Sequence, residues 1–160
     1  LKKNKNFPVI ILRLYQTFGS NQDTNRLIPF VINSCLQKKK FPCSDGNQYR
    51  DFLIVDEVVK AILKCYKNTK AYGQIINIGS GKARKVKDVI EAIKNKIKKG
   101  EPQYGMIKLR SEESLKAYPN LQKAKKLLNW KPQEDFKKNL YKTITFYKKK
   151  WKQEKKFQKL

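Results

Sequence analysis

Five arginines are the residues in this sequence best suited to hold a small anion. The chain has 38 lysines and arginines in 160 residues, and nearly all of them are lysines. A guanidinium group holds a phosphate or carboxylate through two parallel hydrogen bonds, whereas a lysine acts as a point charge on a flexible stem. Because arginine is scarce, its positions are informative: Arg13, Arg26, Arg50, Arg84 and Arg110. The pattern favours a small anionic ligand.

The sequence contains no histidine, which excludes several classes of chemistry within this chain. Imidazole zinc sites, Ser-His-Asp and Cys-His catalysis, and any imidazole general base all need that side chain. Cys35, Cys43 and Cys65 are odd in number and lack Cys-x-x-Cys spacing, so we expect reduced thiols in a cytoplasmic protein. No metal-binding residues are predicted.

The formal net charge of +25 raises the question of nucleic-acid binding. The lysines are scattered over nearly every predicted helix face and do not form one stripe, which is typical of a solvated surface. We therefore expect no specific nucleic-acid partner, and a basic module that binds RNA or an acidic surface is the alternative. No apolar stretch approaches the roughly 20 residues of a membrane span, so no membrane partner is predicted.

The elements that must position the arginines alternate between strands and helices. The apolar run 7–14 predicts a strand buried on both faces in a parallel sheet, and 73–79 predicts a second one that ends in the turn residues 79–81. Two shorter extended segments are predicted at 51–55 and 106–110. This order indicates a single α/β unit.

Helical periodicity predicts five helices between and after these strands. The first begins near Arg26 with Pro29 in its first turn, and the second has Asp56 as its N-cap. Gly100 ends the third helix, and the Lys-rich tail 152–160 frays from the end of the last. The predicted apolar face of the second helix consists of Val58, Val59, Ile62, Leu63 and Tyr66.

Five sequence blocks occur in a recognisable order and spacing. They are ILRLYQTFGSNQ at 11–22, RLIPF at 26–30, GNQYRDFLIVDEVV at 46–59, INIGSG at 76–81 and KAKKLLNWKP at 123–132. Together they resemble the NAD-dependent epimerase/dehydratase family, the extended short-chain dehydrogenases that act on nucleotide sugars. The resemblance implies an α/β fold, the C-terminal part of a Rossmann-type enzyme, with the last parallel strands and a small mixed α/β substrate-binding lobe. We predict that this substrate-binding portion spans 1–151.

The resemblance also implies which motifs lie outside this sequence. The family's Gly-rich dinucleotide loop and its Tyr-x-x-x-Lys catalytic pair precede the position of Leu1, so no catalytic or cofactor-binding residue is assigned here. Gly79-Ser80-Gly81 lacks the third glycine of a dinucleotide loop and is structural in the family. NAD or NADP is expected in the full-length protein, which is expected to be a homodimer. A non-catalytic truncated remnant is the alternative.

Three residues are implied as contacts to the nucleotide diphosphate. Arg50 and Arg110 stand where the family places arginines on the diphosphate, and a surface salt bridge is the alternative for each. Glu113 resembles the acidic residue that binds the ribose hydroxyls, and the neighbouring Glu112 is an equal candidate. The resemblance thus predicts two cations and one carboxylate around the nucleotide.

Three further contacts are implied on the sugar and base sides. Gln16 stands in place of an asparagine that hydrogen-bonds the substrate in many relatives, and its amide reaches one methylene further. Arg26 and Leu27 open a helix at the mouth of the cleft, where relatives contact the base, and core packing is the alternative for Leu27. The resemblance as a whole predicts the substrate-binding half of a nucleotide-sugar epimerase, dehydratase or reductase.

Overall fold

A computed structural model describes residues 7–133 and 135–157, which contain eight strands, five α-helices and a short 3₁₀-helix at Thr69–Ala71. The strands are β1 (Ile11–Leu14), β2 (Gln16–Phe18), β3 (Lys40–Pro42), β4 (Tyr49–Ile54), β5 (Ile75–Ile78), β6 (Ala83–Lys85), β7 (Glu101–Gln103) and β8 (Lys116–Ala117). The helices are α1 (Leu27–Leu36), α2 (Val55–Cys65), α3 (Val86–Ile97), α4 (Gln122–Leu128) and α5 (Phe136–Phe157). Pairs of strands precede α1, α2, α3 and α4, and α5 follows α4 directly.

β4 is the centre of a four-stranded mixed sheet. It pairs in parallel with β2 and β8 and antiparallel with β6. The register places Gln16 opposite Phe52, and Arg50 opposite both Arg84 and Ala117. Because successive residues of a strand point to opposite faces, these pairings fix the direction of each β4 side chain.

The strand predicted over 7–14 is shorter and more exposed than its apolar sequence indicates. β1 begins at Ile11, and the side chains of Ile11 and Leu14 are each 47% exposed. Within the described residues its hydrogen-bonded neighbour is β5 alone. A strand is buried on both faces only where other layers cover it, so this prediction was wrong for the chain described here. The second predicted strand is confirmed as β5, in which Ile76 and Ile78 are fully buried.

No strand forms over 106–110, which is a second correction. The strand in this region is β7, at Glu101–Gln103, which pairs in parallel with β3. Gly105 follows in a turn with φ +80°, and Met106 is exposed. The Ile107 N–H donates to the carbonyl of Cys43 at 3.0 Å, but no continuous partner strand runs beside the segment in the described residues. Its backbone is therefore irregular.

Two hydrophobic cores hold these elements together. The larger joins α1, α3 and α5 to the sheet through residues such as Ile32, Ile93 and Leu140. The smaller joins α2, α4 and β5. α1 and the end of α3 approach closely, because a Cβ at Gly100 would lie 2.7 Å from the Cα of Cys35. Gly100 has φ +82°, so glycine suits this position both for its conformation and for its size.

α2 differs from the prediction at its start and along its apolar face. It begins at Val55 with Ile54 in the N-cap position, so Asp56 lies in the first turn, where its charge still favours the helix dipole. Val58 is buried in the smaller core. The remaining predicted face residues, Val59, Ile62, Leu63 and Tyr66, are exposed. No other described element covers that face, although the sequence pattern is amphipathic.

The prediction for the first helix is confirmed, and the prediction for the end of the last helix is wrong over the described residues. α1 begins at Leu27 with Arg26 in the N-cap position, as predicted. α5 continues past Lys152 to Phe157, so the described part of the tail predicted to fray is helical; 158–160 lie outside the described residues. Lysine, glutamine and glutamate all favour helix, which accounts for this extension. None of the described helices is both long and apolar enough to cross a bilayer.

The three cysteines differ in burial, and we expect their labelling rates to differ accordingly. Cys35 and Cys43 are buried, and desolvation raises the pKa of the Cys35 thiol to about 11. The thiolate is the reacting species, so Cys35 should react with iodoacetamide at neutral pH about a hundredfold more slowly than in the unfolded chain. Cys43, whose pKa is also raised by burial, should be slowed too. Cys65 is only partly buried and should react first. Timed alkylation with peptide mapping measures this, and equal rates for all three thiols would contradict the packing of α1.

Candidate functional site

An open cleft of about 580 Å³ lies against the face of β4 that carries Arg50 and Phe52. Gln48, immediately before β4, points the same way because it is two residues from Arg50. Polar groups on the cleft wall are Gln16, Asn25, Ser44, Gln48, Arg50, Lys108, Arg110 and Glu113, and apolar ones include Leu27, Phe30, Phe52, Val86, Ile90 and Ile107. Apolar walls with a few convergent polar groups are typical of a small-molecule site.

The cleft brings together five of the six residues predicted as substrate contacts. Gln16, Leu27, Arg50, Arg110 and Glu113 all line it. They come from β2, the start of α1, β4 and the segment before β8, which are far apart in sequence. The sixth, Arg26, is exposed at the N-cap of α1 and is not among the lining residues.

Arg50 is held in one orientation by three hydrogen bonds. Its Nη1 donates to the carbonyl oxygens of Tyr49 and Ser114, each at 2.8 Å, and its Nη2 donates to Oε1 of Glu113. The Arg50 side chain is only 12% exposed. Its ionic partner is therefore Glu113, within the cleft wall. A guanidinium fixed in this way meets an anion with little loss of side-chain entropy.

The charges of the cleft wall leave it positive. Arg50, Lys108 and Arg110 face a single carboxylate, that of Glu113. The Glu113 N–H donates to the carbonyl of Arg110 at 3.0 Å, and this turn holds the two residues close together. Lys108 and Arg110 form no ion pair with any described residue, so their charges are available to a ligand.

On the opposite face of β4, Asp51 anchors the loop that follows β5. Its carboxylate is fully buried and accepts hydrogen bonds from the Ser80 N–H at 2.6 Å, the Ser80 hydroxyl at 3.0 Å and the Lys82 N–H at 3.2 Å. Burial raises the pKa of Asp51 above its usual value, and the hydrogen bonds oppose that rise. A Cβ at Gly79 would lie 2.5 Å from Pro119 and 2.9 Å from Asp51 Oδ1, so the loop packs tightly on β4.

The hydrogen bonds from Ser80 and Lys82 to Asp51 also decide whether this loop can bind a dinucleotide. A phosphate loop offers free backbone N–H groups to the ligand. Here the N–H groups of Ser80 and Lys82 are donated to Asp51 and are not free. The described residues therefore do not fit NAD at Gly79–Gly81. Nor do they contain a group of three or more His, Cys, Asp or Glu placed to hold a metal ion.

Four polar residues of the cleft wall were not predicted from the sequence: Asn25, Ser44, Gln48 and Lys108. Gln48 and Ser44 face the cleft beside Arg50, and Lys108 adds a third cation. The alternation of side-chain direction along β4 could have identified Gln48, because residues i and i+2 of a strand lie on the same face. No local signal marks Asn25, Ser44 or Lys108, since all three lie outside helices and strands.

Residues 1–79 match the family described as the NAD dependent epimerase/dehydratase family. A CDP-abequose synthase from Salmonella typhimurium is 32% identical over 136 residues, which are 81% of this chain and 45% of the relative. The chain belongs to the NAD-dependent epimerase/dehydratase family. Another relative, a human dTDP-D-glucose 4,6-dehydratase, is 32% identical over 151 residues, 88% of this chain and 42% of that protein.

Solved structures agree with this membership. A dTDP-glucose 4,6-dehydratase from Bacillus anthracis, solved in complex with NAD, superposes with a TM-score of 0.81 at 27% identity. The match covers 92% of this chain and 47% of that one. The α/β fold of Rossmann type predicted from the sequence is thus confirmed. This member of the family spans less than half the length of the relatives it matches.

Proposed function

We propose that this chain is the substrate-binding portion of an NAD(P)-dependent nucleotide-sugar epimerase, dehydratase or reductase. The observation that carries the proposal is the orientation of Arg50, fixed by two carbonyl oxygens within a cleft that also contains Lys108 and Arg110. A nucleotide diphosphate has two negative charges, and fixed guanidinium groups are well suited to hold them. The family relatives named above act on CDP- or dTDP-linked sugars.

Within this proposal, Glu113 and the diphosphate compete for Arg50. Glu113 neutralises Arg50 in the ligand-free chain, with its own side chain one-third exposed. An incoming diphosphate displaces that carboxylate, and the displaced Glu113 becomes available to accept hydrogen bonds from ribose hydroxyls. Lys108 and Arg110 attract the anion first, because neither is engaged in an ion pair with a described residue.

The dinucleotide is proposed to bind a part of the longer protein that this sequence does not include. NAD or NADP would supply hydride chemistry at a sugar carbon there. Exposed apolar side chains on β1 and α2, among them Ile11, Ile62 and Leu63, support this, because large apolar surfaces usually contact another layer. Homodimerisation is likewise proposed for the longer protein only.

Replacing Arg110 with alanine is expected to weaken the binding of uridine diphosphate about tenfold, because one cation is lost from the cleft rim. The Lys138→Ala variant, which removes an exposed cation from α5 far along the chain, should bind as the wild type does. Isothermal titration calorimetry gives both affinities. Failure of the wild type to bind uridine, cytidine and thymidine diphosphates would refute the proposed function.

The same titration separates the alternatives. A truncated remnant would bind no nucleotide diphosphate and would show a poorly cooperative unfolding transition. A basic module would bind polyuridylate with an affinity that falls steeply with salt, and Lys138→Ala would weaken it as much as Arg110→Ala. The proposed site predicts that Arg110→Ala alone has an effect.

A further inference from the structure

The outer face of α5 carries a straight line of lysines. A helix completes a turn every 3.6 residues, so residues three or four apart share a face. Six exposed positions follow this spacing within an arc of about 80° and along about 27 Å of the helix axis. They are Lys138, Lys142, Thr145, Lys149, Lys152 and Lys156. Lysines that look scattered along the sequence are aligned by the helix, and we call these five the α5 lysine row.

The α5 lysine row has little opposing charge. The Lys142 Nζ lies 2.9 Å from Oδ2 of Asp56, but both side chains are more than half exposed, and such ion pairs are weak. The other four lysines form no ion pair with any described residue. Glu154 is the one acidic residue of α5, and it lines a small groove together with Tyr147, on the side of the helix away from the row. The row therefore presents positive charge to solvent.

The shape of this face fits a planar surface better than a polynucleotide. α5 packs on the larger core through Leu140, Ile144 and Tyr147, so only a ridge of the helix is exposed. The major groove of DNA admits a whole helix, which this packing prevents. Single strands bind by stacking on aromatic rings, and the row contains none; the neighbouring Tyr141 ring has the Lys96 Nζ over it, 4.3 Å from its centroid. Cations in one straight line can all reach a plane of negative charge at the same time.

We propose that the α5 lysine row binds the surface of anionic phospholipid bilayers, with its ammonium groups against the lipid headgroups. The contact is electrostatic and peripheral, because the apolar side of α5 is buried in the core and is not available for insertion. The sequence-based prediction of no membrane partner considered spanning segments only and does not address such a contact. The row shares no residue with the β4 cleft, so the inference is independent of the proposed function.

The test is sedimentation of the protein with vesicles of phosphatidylcholine and phosphatidylserine in a ratio of about 2:1. The triple variant Lys149→Gln, Lys152→Gln, Lys156→Gln removes three charges of the row and keeps good helix formers. We expect its affinity for the vesicles to fall about a hundredfold, since each lysine near an anionic surface contributes about fivefold. Raising the salt concentration from about 0.1 M to about 0.5 M should release the wild type from the vesicles.

A second triple variant controls for net charge. Lys70→Gln, Lys125→Gln, Lys126→Gln removes three exposed charges outside α5 and should keep the affinity for the vesicles within about threefold. An equal loss in both triple variants would overturn the inference, because net charge alone would then drive binding. Equal binding of the wild type to pure phosphatidylcholine vesicles, or no binding to the anionic ones, would also overturn it. Tighter binding to polyuridylate than to the vesicles, lost in the first triple variant, would assign the row to a polynucleotide instead.

Discussion

Replacing Arg50 with alanine should lower the affinity for a nucleoside diphosphate about a hundredfold. The change removes charge-assisted hydrogen bonds to the diphosphate, each worth about 1.5–3 kcal/mol. It also leaves the Glu113 carboxylate unpaired in the cleft, where it repels the anion. The Ser114 carbonyl loses its donor as well, so the 110–114 segment should become less well ordered. Titration calorimetry measures the affinity, and hydrogen exchange of residues 110–117 measures the order.

Two further variants identify the cause of this loss. Arg50→Lys keeps the charge but cannot contact Tyr49, Ser114 and an anion together, so it should recover only part of the affinity. Glu113→Gln, as a single substitution, removes the carboxylate that competes with the ligand for Arg50. Pyrophosphate should then bind about threefold more tightly, because one partly exposed negative charge no longer repels it. If Glu113→Gln weakens pyrophosphate binding, the two anions do not compete for Arg50.

Replacing Asp51 with alanine should lower the free energy of unfolding by about 1–3 kcal/mol. The fully buried carboxylate accepts hydrogen bonds from Ser80 and Lys82. Without it the Ser80 N–H has no acceptor, at a cost of about 1–3 kcal/mol, whereas the Ser80 hydroxyl and the Lys82 N–H keep their bonds within the loop. The loop that follows β5 should also loosen, because Asp51 links it to β4. Urea unfolding followed by circular dichroism measures the stability. Asp88→Ala, an exposed carboxylate in the first turn of α3, should change it by no more than about 0.5 kcal/mol.

The pH dependence of Asp51 gives this prediction a second measurement. Burial raises the pKa of Asp51 in the folded chain above its unfolded value of 3.8. The folded state therefore holds a proton where the unfolded chain has released it, and this group's contribution to stability decreases as pH rises above 3.8. The free energy of unfolding of the wild type minus that of Asp51→Asn should accordingly decrease as pH rises from about 4 to 7. If the wild-type value instead increases relative to that of Asp51→Asn over this pH range, the pKa of Asp51 is not raised.

The site residues were predicted from the family resemblance, and local patterns explain part of their arrangement. The strand period of two explains why Arg50 reaches the cleft while Asp51 faces the other way, and the same rule could have identified Gln48. The start of α1 at Leu27 followed from the placement of Pro29 in the first turn. These features depend on a few neighbouring residues, so they can be predicted from the sequence.

Other features depended on the path of the chain. The ionic partner of Arg50 is Glu113, 63 residues away along the chain. The predicted strand at 106–110 failed because strand formation needs a partner backbone, and none runs beside that segment in the described residues. The apolar face of α2 is amphipathic by sequence, yet burial also requires an opposing surface.

The sequence by itself determined the family, the α/β class and five of the residues that line the cleft, because motifs and hydrophobic periodicity are properties of short segments. Only the tertiary structure decided which charges pair, which loop Asp51 anchors and that the Gln48 Oε1 is buried without a hydrogen-bond partner among the described residues. Those facts arise where segments distant along the chain meet and exclude water, and no local pattern specifies such a meeting.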